Sequence, residues 1–510
     1  MSTERSKWSS RSAFVLAAIG SAVGLGNAWR FPGLAAKHGG GAFLLVYLIA
    51  MLVMGVPLLM MEIAIGRKMK QGAAGSMRGL NKKLEPIGWA AVANAFVISV
   101  YYAAVFAWVL LMVVKSIDFA GMTGDTVAAS QLWLTTIKTT GAVSGIGVLP
   151  LSLLAAFLVA WGSIYYCIRN GAASVSKVVK YTVFIPVVLL LVMAVNGLRM
   201  PGAMDGVAKF FIPDFSVLGN AAIWVDAVGQ VFFSLSIMMA VMFAYGSFLE
   251  RDSNIAVDGL IIAFSDMAIS VLAGVVMFST MGGVGMLDKI STSGIATAFI
   301  VYPQAIVTLT NIGWVNVIFG MVFYLCLATL AVDSAFSLVE GVSTSISDKF
   351  KLDHKKTTLN ISIIMAAMGL IFLTGAGLAW LDIVDNFTNQ FNMIIIGILE
   401  CVAIGWFFKT ERVLDEINLN SQKWKMPGWW FNTSVRFAAP VLLVFLLVWN
   451  VISLIKAGGV YGAADGYPLW ANIVGGWLIT ILVFASGYIV KLIAAARARK
   501  GLVEDESSWS

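Results

Sequence analysis

Apolar runs of about twenty residues recur from one end of this sequence to the other, and nothing else limits the fold as strongly. A helix of that length crosses the hydrocarbon of a bilayer. Only helices and closed barrels satisfy every backbone group there. A barrel would show alternating segments of about ten residues, and these runs are continuous. Composition agrees: 59% of the 510 residues are hydrophobic and 12% charged, with mean hydropathy +0.88. A soluble domain carries about 25% charge. The sequence therefore predicts an all-α polytopic membrane protein. The N-terminus, MSTERSKWSSR, leads into an apolar run without a small-residue cleavage site, so the first helix is expected to be retained.

Twelve spans are expected, near 11–36, 41–66, 87–115, 148–168, 175–198, 221–249, 256–281, 312–345, 356–380, 384–408, 432–457 and 468–494. Loop charge gives their orientation. Lys and Arg crowd the loops after the second, fourth, sixth, eighth and tenth spans, among them Arg67, Lys82, Arg169, Arg251, Lys349 and Lys409. Arg5, Lys7 and Arg11 precede the first span, and Arg497, Arg499 and Lys500 follow the last. Both termini fall in the cytoplasm, in a multi-pass protein of the cell membrane. The net charge of +7 is accounted for by these loops, so no nucleic-acid partner is implied. Cys167, Cys326 and Cys401 each lie inside an apolar run without metal-ligand spacing and read as reduced structural thiols. His38 and His354 read as loop residues. No HExxH, GxSxG or Walker pattern occurs, and no membrane serine has a histidine beside it in sequence, so an enzyme is not expected.

The stretch AIGSAVGLGNAWRFP, Ala18 to Pro32, sets glycines, Asn27 and Arg30 inside the first run. Glycine weakens a helix, and a buried arginine needs a partner. Close helix packing would explain the glycines but not Asn27 or Arg30. Five spans later, VDAVGQVFFSLSIMMAVMFAYGS places serines at a matching interruption, Phe233 to Ser236. Paired interruptions in two halves point to a transporter with its site at mid-membrane. An unwound helix frees carbonyls that can coordinate a cation, and the N-terminus of the resumed helix attracts a carboxylate. A small zwitterion with sodium satisfies both.

These residues carry a resemblance. GSAVGLGNAWRFP with HGGGAFLLVY, SVYY, VGQVFFSLS and LAVDSAFSLVEG resembles the neurotransmitter:sodium symporter family, its bacterial amino-acid transporters above all, over essentially the whole chain. The resemblance implies 12 transmembrane helices: a 5+5 inverted repeat with broken helices 1 and 6, plus two C-terminal helices. Its divisions would be a segment 1–10, repeats at 11–198 and 199–408, helices 11 and 12 at 409–494, and a tail at 495–510. It implies Na+-coupled symport of a neutral amino acid by alternating access, with two sodium ions. One sodium site would use Ala22, Asn27 through its amide oxygen, Ser234 and Asp266. The second would use Gly20, Val23 and Leu330 carbonyls with Asp333 and Ser334. The substrate carboxylate would meet the Leu25 and Gly26 amides and Tyr102, and its amine the Ala22 and Phe233 carbonyls and Ser236. Gly24 matches the aspartate of monoamine carriers, which favours a substrate with its own carboxylate. Ile98, Phe233, Met238, Met239, Ser334 and Leu338 would line an apolar side-chain pocket. Met238 and Ala240 stand where relatives commonly place glycines, so a smaller pocket is expected.

By the same resemblance Arg30 and Asp385 would form the outer gate above Tyr102 and Phe233, and Arg5 and Asp348 the inner one, with Phe248 in place of the usual tyrosine. Tyr47, Gln230, Ser234 and Ser270 match the anion site of chloride-dependent relatives. Asp266, one turn from Ser270, is expected to replace chloride as counter-charge, so no chloride requirement is expected. A proton antiport step would draw on Asp266, Asp333 or Glu400. A membrane sensor that binds an amino acid without transport, and a symporter for another small molecule, are the alternatives. The short second extracellular loop, without paired cysteines or a glycosylation site, leans bacterial. Substrate identity and oligomeric state are not legible.

Overall fold

The computed structural model describes residues 6–499 apart from 292 and 423. All regular structure among these residues is helical. Ten helices are long and apolar enough to cross a membrane: Gly41–Met69, Lys82–Met122, Leu151–Ile168, Ala172–Leu198, Ile255–Gly283, Gly313–Phe350, His354–Leu373, Gly377–Phe407, Gly428–Lys456 and Leu469–Arg497. They correspond to expected spans 2–5 and 7–12, and are called segments by those numbers.

Segment 1 is a pair, Arg11–Ala22 and Gly26–Lys37, bent by 51° at its break, and counts as an eleventh span. Ser10 caps its start by accepting the Ala13 N–H at 3.1 Å. Segment 6 is shorter than a span in either half, Ala221–Ser234 and Val241–Ser247, with residues 235–240 between them non-helical. Length and composition thus give eleven spans among the described residues, and the expected twelfth is the region that breaks.

Burial places the segments. In the most apolar window of segment 3, 78% of residues are buried, against 22% in segment 11 and 11% in segment 12, so the last two face lipid and segment 3 is central. Segment 2 and the second half of segment 6 approach backbone to backbone. A Cβ on Gly66 would lie 2.1 Å from the Phe243 carbonyl, and one on Gly246 2.3 Å from that of Ile63. Small residues permit such contact between membrane helices.

Two expectations need correction. The turn between segments 9 and 10 falls at 374–376, not 381–383, because Gly375 is pinned to the loop before segment 4. Its N–H donates to the Ile146 carbonyl and its carbonyl accepts from Thr140, both at 2.8 Å. Asp382 consequently sits inside a helix. His354, expected in a loop, is instead the first residue of segment 9, whereas His38 does occupy a turn, buried with Nε2 2.7 Å from Asp226 Oδ2. Cys167, Cys326 and Cys401 are unbridged and buried, as their apolar surroundings suggested.

Candidate ion and substrate site

The two breaks meet at the centre of the bundle. In segment 1, Val23 is extended (φ −80°, ψ 98°), which ends the first helix. Gly24 donates its N–H to Asn27 Oδ1 at 2.9 Å, and the Asn27 N–H turns to the Gly24 carbonyl at 3.2 Å, so the Val23 carbonyl loses its usual donor four residues on. In segment 6 the break is held by Ser236, Met238 and Ala240, with φ of 51°, 62° and 61°. Left-handed backbone costs an L-residue with a Cβ about 1–2 kcal/mol. Glu62 of segment 2 steadies this loop, its Oε1 accepting the Met238 N–H at 2.6 Å.

This geometry yields a stability prediction. Ala240→Gly should raise the melting temperature by a few degrees, because relief of the left-handed strain, about 1 kcal/mol or more, outweighs one buried methyl. A lower melting temperature would mean that the loop carries no such strain.

Beneath the breaks lies a cavity of about 20 Å³ lined by Ser21, Ala22, Gly24, Asn27, Ile98, Tyr102, Phe233, Ser234, Ser236, Met239, Ser334 and Leu338. Of the residues expected around the substrate, Leu25, Gly26 and Met238 are not in this lining. A Cβ on Gly397 would meet Met238 Cγ at 3.5 Å, so that side chain is turned toward segment 10. Tyr102 Oη is buried without a hydrogen-bond partner, beside the Leu25 amide and the Ser334 hydroxyl. The Ser236 hydroxyl is already committed to the Ser21 carbonyl at 2.9 Å, which Ser334 also reaches at 3.2 Å. The Phe233 carbonyl accepts from the Ser236 N–H at 3.4 Å.

On one side of the cavity stands a closed polar cluster. The Asp266 carboxylate accepts from Ser234 Oγ at 2.8 and 2.7 Å to its two oxygens, from Asn27 Nδ2 at 2.7 Å and from Tyr47 Oη at 3.2 Å. Ser270 joins through Asn27 Nδ2 at 2.7 Å. Gln230 stands slightly apart, its Nε2 3.4 Å from the Gly26 carbonyl. The Asn27 amide oxygen, the expected cation ligand, here takes the Gly24 N–H. On the other side is Asp333, buried, with Oδ1 unpartnered and Oδ2 so near segment 1 that a Cβ on Gly20 would lie 2.4 Å away. Ser334 follows it, and Leu330 lies one turn before. An orphaned carboxylate oxygen facing a broken helix, with the Ser334 hydroxyl next to it in sequence, fits an alkali cation.

The two ends differ. At the face carrying the N-terminus, Trp8 donates Nε1 to the Tyr245 carbonyl at 3.0 Å and sets its ring against Tyr245 and Phe248. Lys7–Glu250 at 3.2 Å and Arg11–Asp258 at 2.6 Å reinforce this closure. Asp348 accepts the Gly72 N–H at 2.7 Å, while Arg5, its expected partner, lies outside the described residues. At the opposite face Arg30 stands over the Phe233 ring, 5.8 Å from its centroid. It makes no ion pair with Asp385, whose Oδ1 is held by Tyr101 Oη at 2.7 Å and Asn389 Nδ2 at 2.8 Å. Tyr101 and Glu62 were missed in sequence. The glutamate inside LLMMEIAIG was the available signal, whereas Tyr101 was hidden beside Tyr102.

The comparisons with known proteins decide the family. The model of the sodium:neurotransmitter symporter family matches residues 5–120 and 119–497. The chain belongs to the sodium:neurotransmitter symporter family. Within that family it is 33% identical over 499 residues to an uncharacterized sodium-dependent transporter of Methanocaldococcus jannaschii, covering 96% of this chain and 98% of the relative. It is 28% identical over 540 residues to the mouse sodium-dependent neutral amino acid transporter B(0)AT3, at 90% and 86% coverage. The crystal structure of MhsT in complex with L-phenylalanine superposes with a TM-score of 0.74 at 28% identity, covering 87% of this chain and 99% of that one. The resemblance read from sequence therefore holds for family and fold. This symporter-family chain is a multi-pass membrane protein.

Proposed function

We propose that the protein is a secondary transporter that carries a neutral amino acid, hydrophobic or small, into the cell together with sodium by alternating access. The observation that carries this reading is the convergence of two broken segments on one cavity, with the Asn27–Ser234–Asp266 cluster on one side and Asp333 on the other. That arrangement supports two cation sites, one at each carboxylate. Sodium dependence is supported by the relatives' names, and an amino-acid substrate by the phenylalanine in MhsT and by B(0)AT3. Gly24 supports a substrate with its own carboxylate, and Ile98, Phe233, Met239 and Leu338 support an apolar side chain.

The basic loops support a cytoplasmic Trp8 face, and both termini with it. The inner side is then closed in this conformation, and Phe233 lies as a partly exposed lid on the outer side. Substrate completing the first cation site couples the two ligands. Each raises the affinity for the other by the same factor. Asp266 already supplies the negative charge at the anion-site residues, so chloride is not required.

Thermal melting of the purified protein against the twenty amino acids, in Na+ and then in K+, tests this. Ligand at a hundred times Kd stabilises by about 2.7 kcal/mol. Stabilisation by one group of neutral amino acids in Na+ only is the expected result. Stabilisation without uptake into vesicles would favour a sensor, and no shift with any of them would favour a different small molecule.

A further inference from the structure

Segment 8 carries a second buried carboxylate that neither cation site uses. Glu340 lies seven residues after Asp333, two turns or about 10.5 Å nearer the cytoplasm on the same helix face. It is fully buried. Its Oε1 accepts the Thr344 hydroxyl at 3.0 Å, and its Oε2 makes no hydrogen bond, lying 3.3 Å from Nε2 of the partly exposed His354. Among the described residues no Lys or Arg pairs with it. Tyr245 Oη, from the second half of segment 6, is buried and makes no hydrogen bond of good geometry, lying beside the hydroxyl of Ser337, the residue between Asp333 and Glu340. Ser337, between the two acids, donates to the Ser334 carbonyl at 2.9 Å and accepts from Ser21 Oγ at 2.8 Å. Toward the cytoplasm Ser343 and Ser347 add buried hydroxyls without partners.

A carboxylate inside the membrane that faces a partly exposed histidine and no Lys or Arg is expensive, and such residues mark ion pathways. Helix packing alone would be served by an apolar side chain here. Oxygen donors from a carboxylate, a phenol and an aliphatic hydroxyl suit a hard monovalent cation. The tyrosine that contributes one of them is the residue to which Trp8 is bonded. Departure of Trp8 would open this stripe of segment 8 to cytoplasmic water.

We propose that Glu340, with the hydroxyls of Tyr245 and Thr344, forms a transit site for the sodium ion that leaves the Asp333 site toward the cytoplasm. This rests on the symport reading above. A transit site on the inner side is also the first site that cytoplasmic sodium reaches, so it governs inhibition from within and not affinity from without.

The test is uptake of a tritiated mixture of alanine, valine, leucine and phenylalanine into proteoliposomes of the full chain, with internal and external Na+ varied separately. Glu340→Gln should raise the internal Na+ concentration for half-inhibition at least tenfold and slow uptake about tenfold. The external Na+ dependence should change less than twofold. A role confined to packing would shift both sides together or neither, and either result would overturn the proposal. If Glu340→Gln fails to fold, Thr344→Val should give a smaller internal shift in the same direction, about threefold, and its absence is equally decisive. Absence of sodium-driven uptake by the wild-type chain would instead sink the symport reading, and this inference with it. Sodium-driven uptake with an unchanged internal response sinks this inference alone.

Discussion

Asp266→Asn should convert chloride-independent uptake into chloride-dependent uptake, with activity at least a hundredfold lower in gluconate than in chloride. The carboxylate is the shared acceptor for Ser234, Asn27 and Tyr47. Amidation removes the negative charge while leaving those donors in place, with the Ser270 hydroxyl one turn on. With one carboxylate oxygen replaced by an NH2 group, the same donors are left with a single uncharged acceptor among added N–H donors, and a small anion can restore the lost charge. A hundredfold change corresponds to about 2.7 kcal/mol, within what a buried counter-charge supplies. Uptake by Asp266→Asn that stays equal in the two media would refute the assignment, as would a chloride requirement in the wild type.

Gly24→Ala should abolish amino-acid binding, lowering affinity at least a hundredfold, by a route that charge does not enter. A Cβ at this position would lie 2.6 Å from Ser334 Oγ and 3.4 Å from Tyr102 Oη, against the hydroxyl expected to hold the substrate carboxylate. The Gly24–Asn27 bond holds the backbone here, so the methyl stays in the cavity and the Ser334 hydroxyl must rotate away from it. Equilibrium binding of the amino acid chosen by the melting screen measures this. Wild-type affinity in Gly24→Ala would place the substrate elsewhere than this cavity.

Much of this arrangement was legible in sequence because membrane burial makes exceptions conspicuous. Asn27 and the glycines around it had no reason to sit in an apolar run except a break, and a break is what Val23 begins. The proximity of Asn27, Ser234, Asp266, Tyr47 and Ser270 followed from family resemblance, since no periodicity links residues so distant in the chain. The partner of Asp385 was not legible. Tyr101 and Asn389 both satisfy it at short range in this conformation, and a sequence cannot say in which conformation an arginine and a carboxylate meet. The left-handed backbone of Met238 and Ala240 was hidden for a similar reason: glycine announces positive φ, whereas methionine and alanine adopt it only when their surroundings hold them there. Glu340 was passed over within SLVEG because the eighth run stays apolar enough to span despite it.

The close approach of Gly66 and Gly246 divides the molecule mechanically. With carbonyls of each helix set where the other's side chains would be, segment 2 and the second half of segment 6 cannot slide or tilt against each other without collision. They form one stiff part. The first half of segment 1 is fastened differently, at its start by the Trp8 indole and two ion pairs with exposed cationic ends, and at its far end by the Ser21 bonds to segments 6 and 8, all of them involving side chains. On the proposed reading, freeing the start of that helix breaks side-chain contacts alone, whereas parting segments 2 and 6 would have to undo a seam made of backbone.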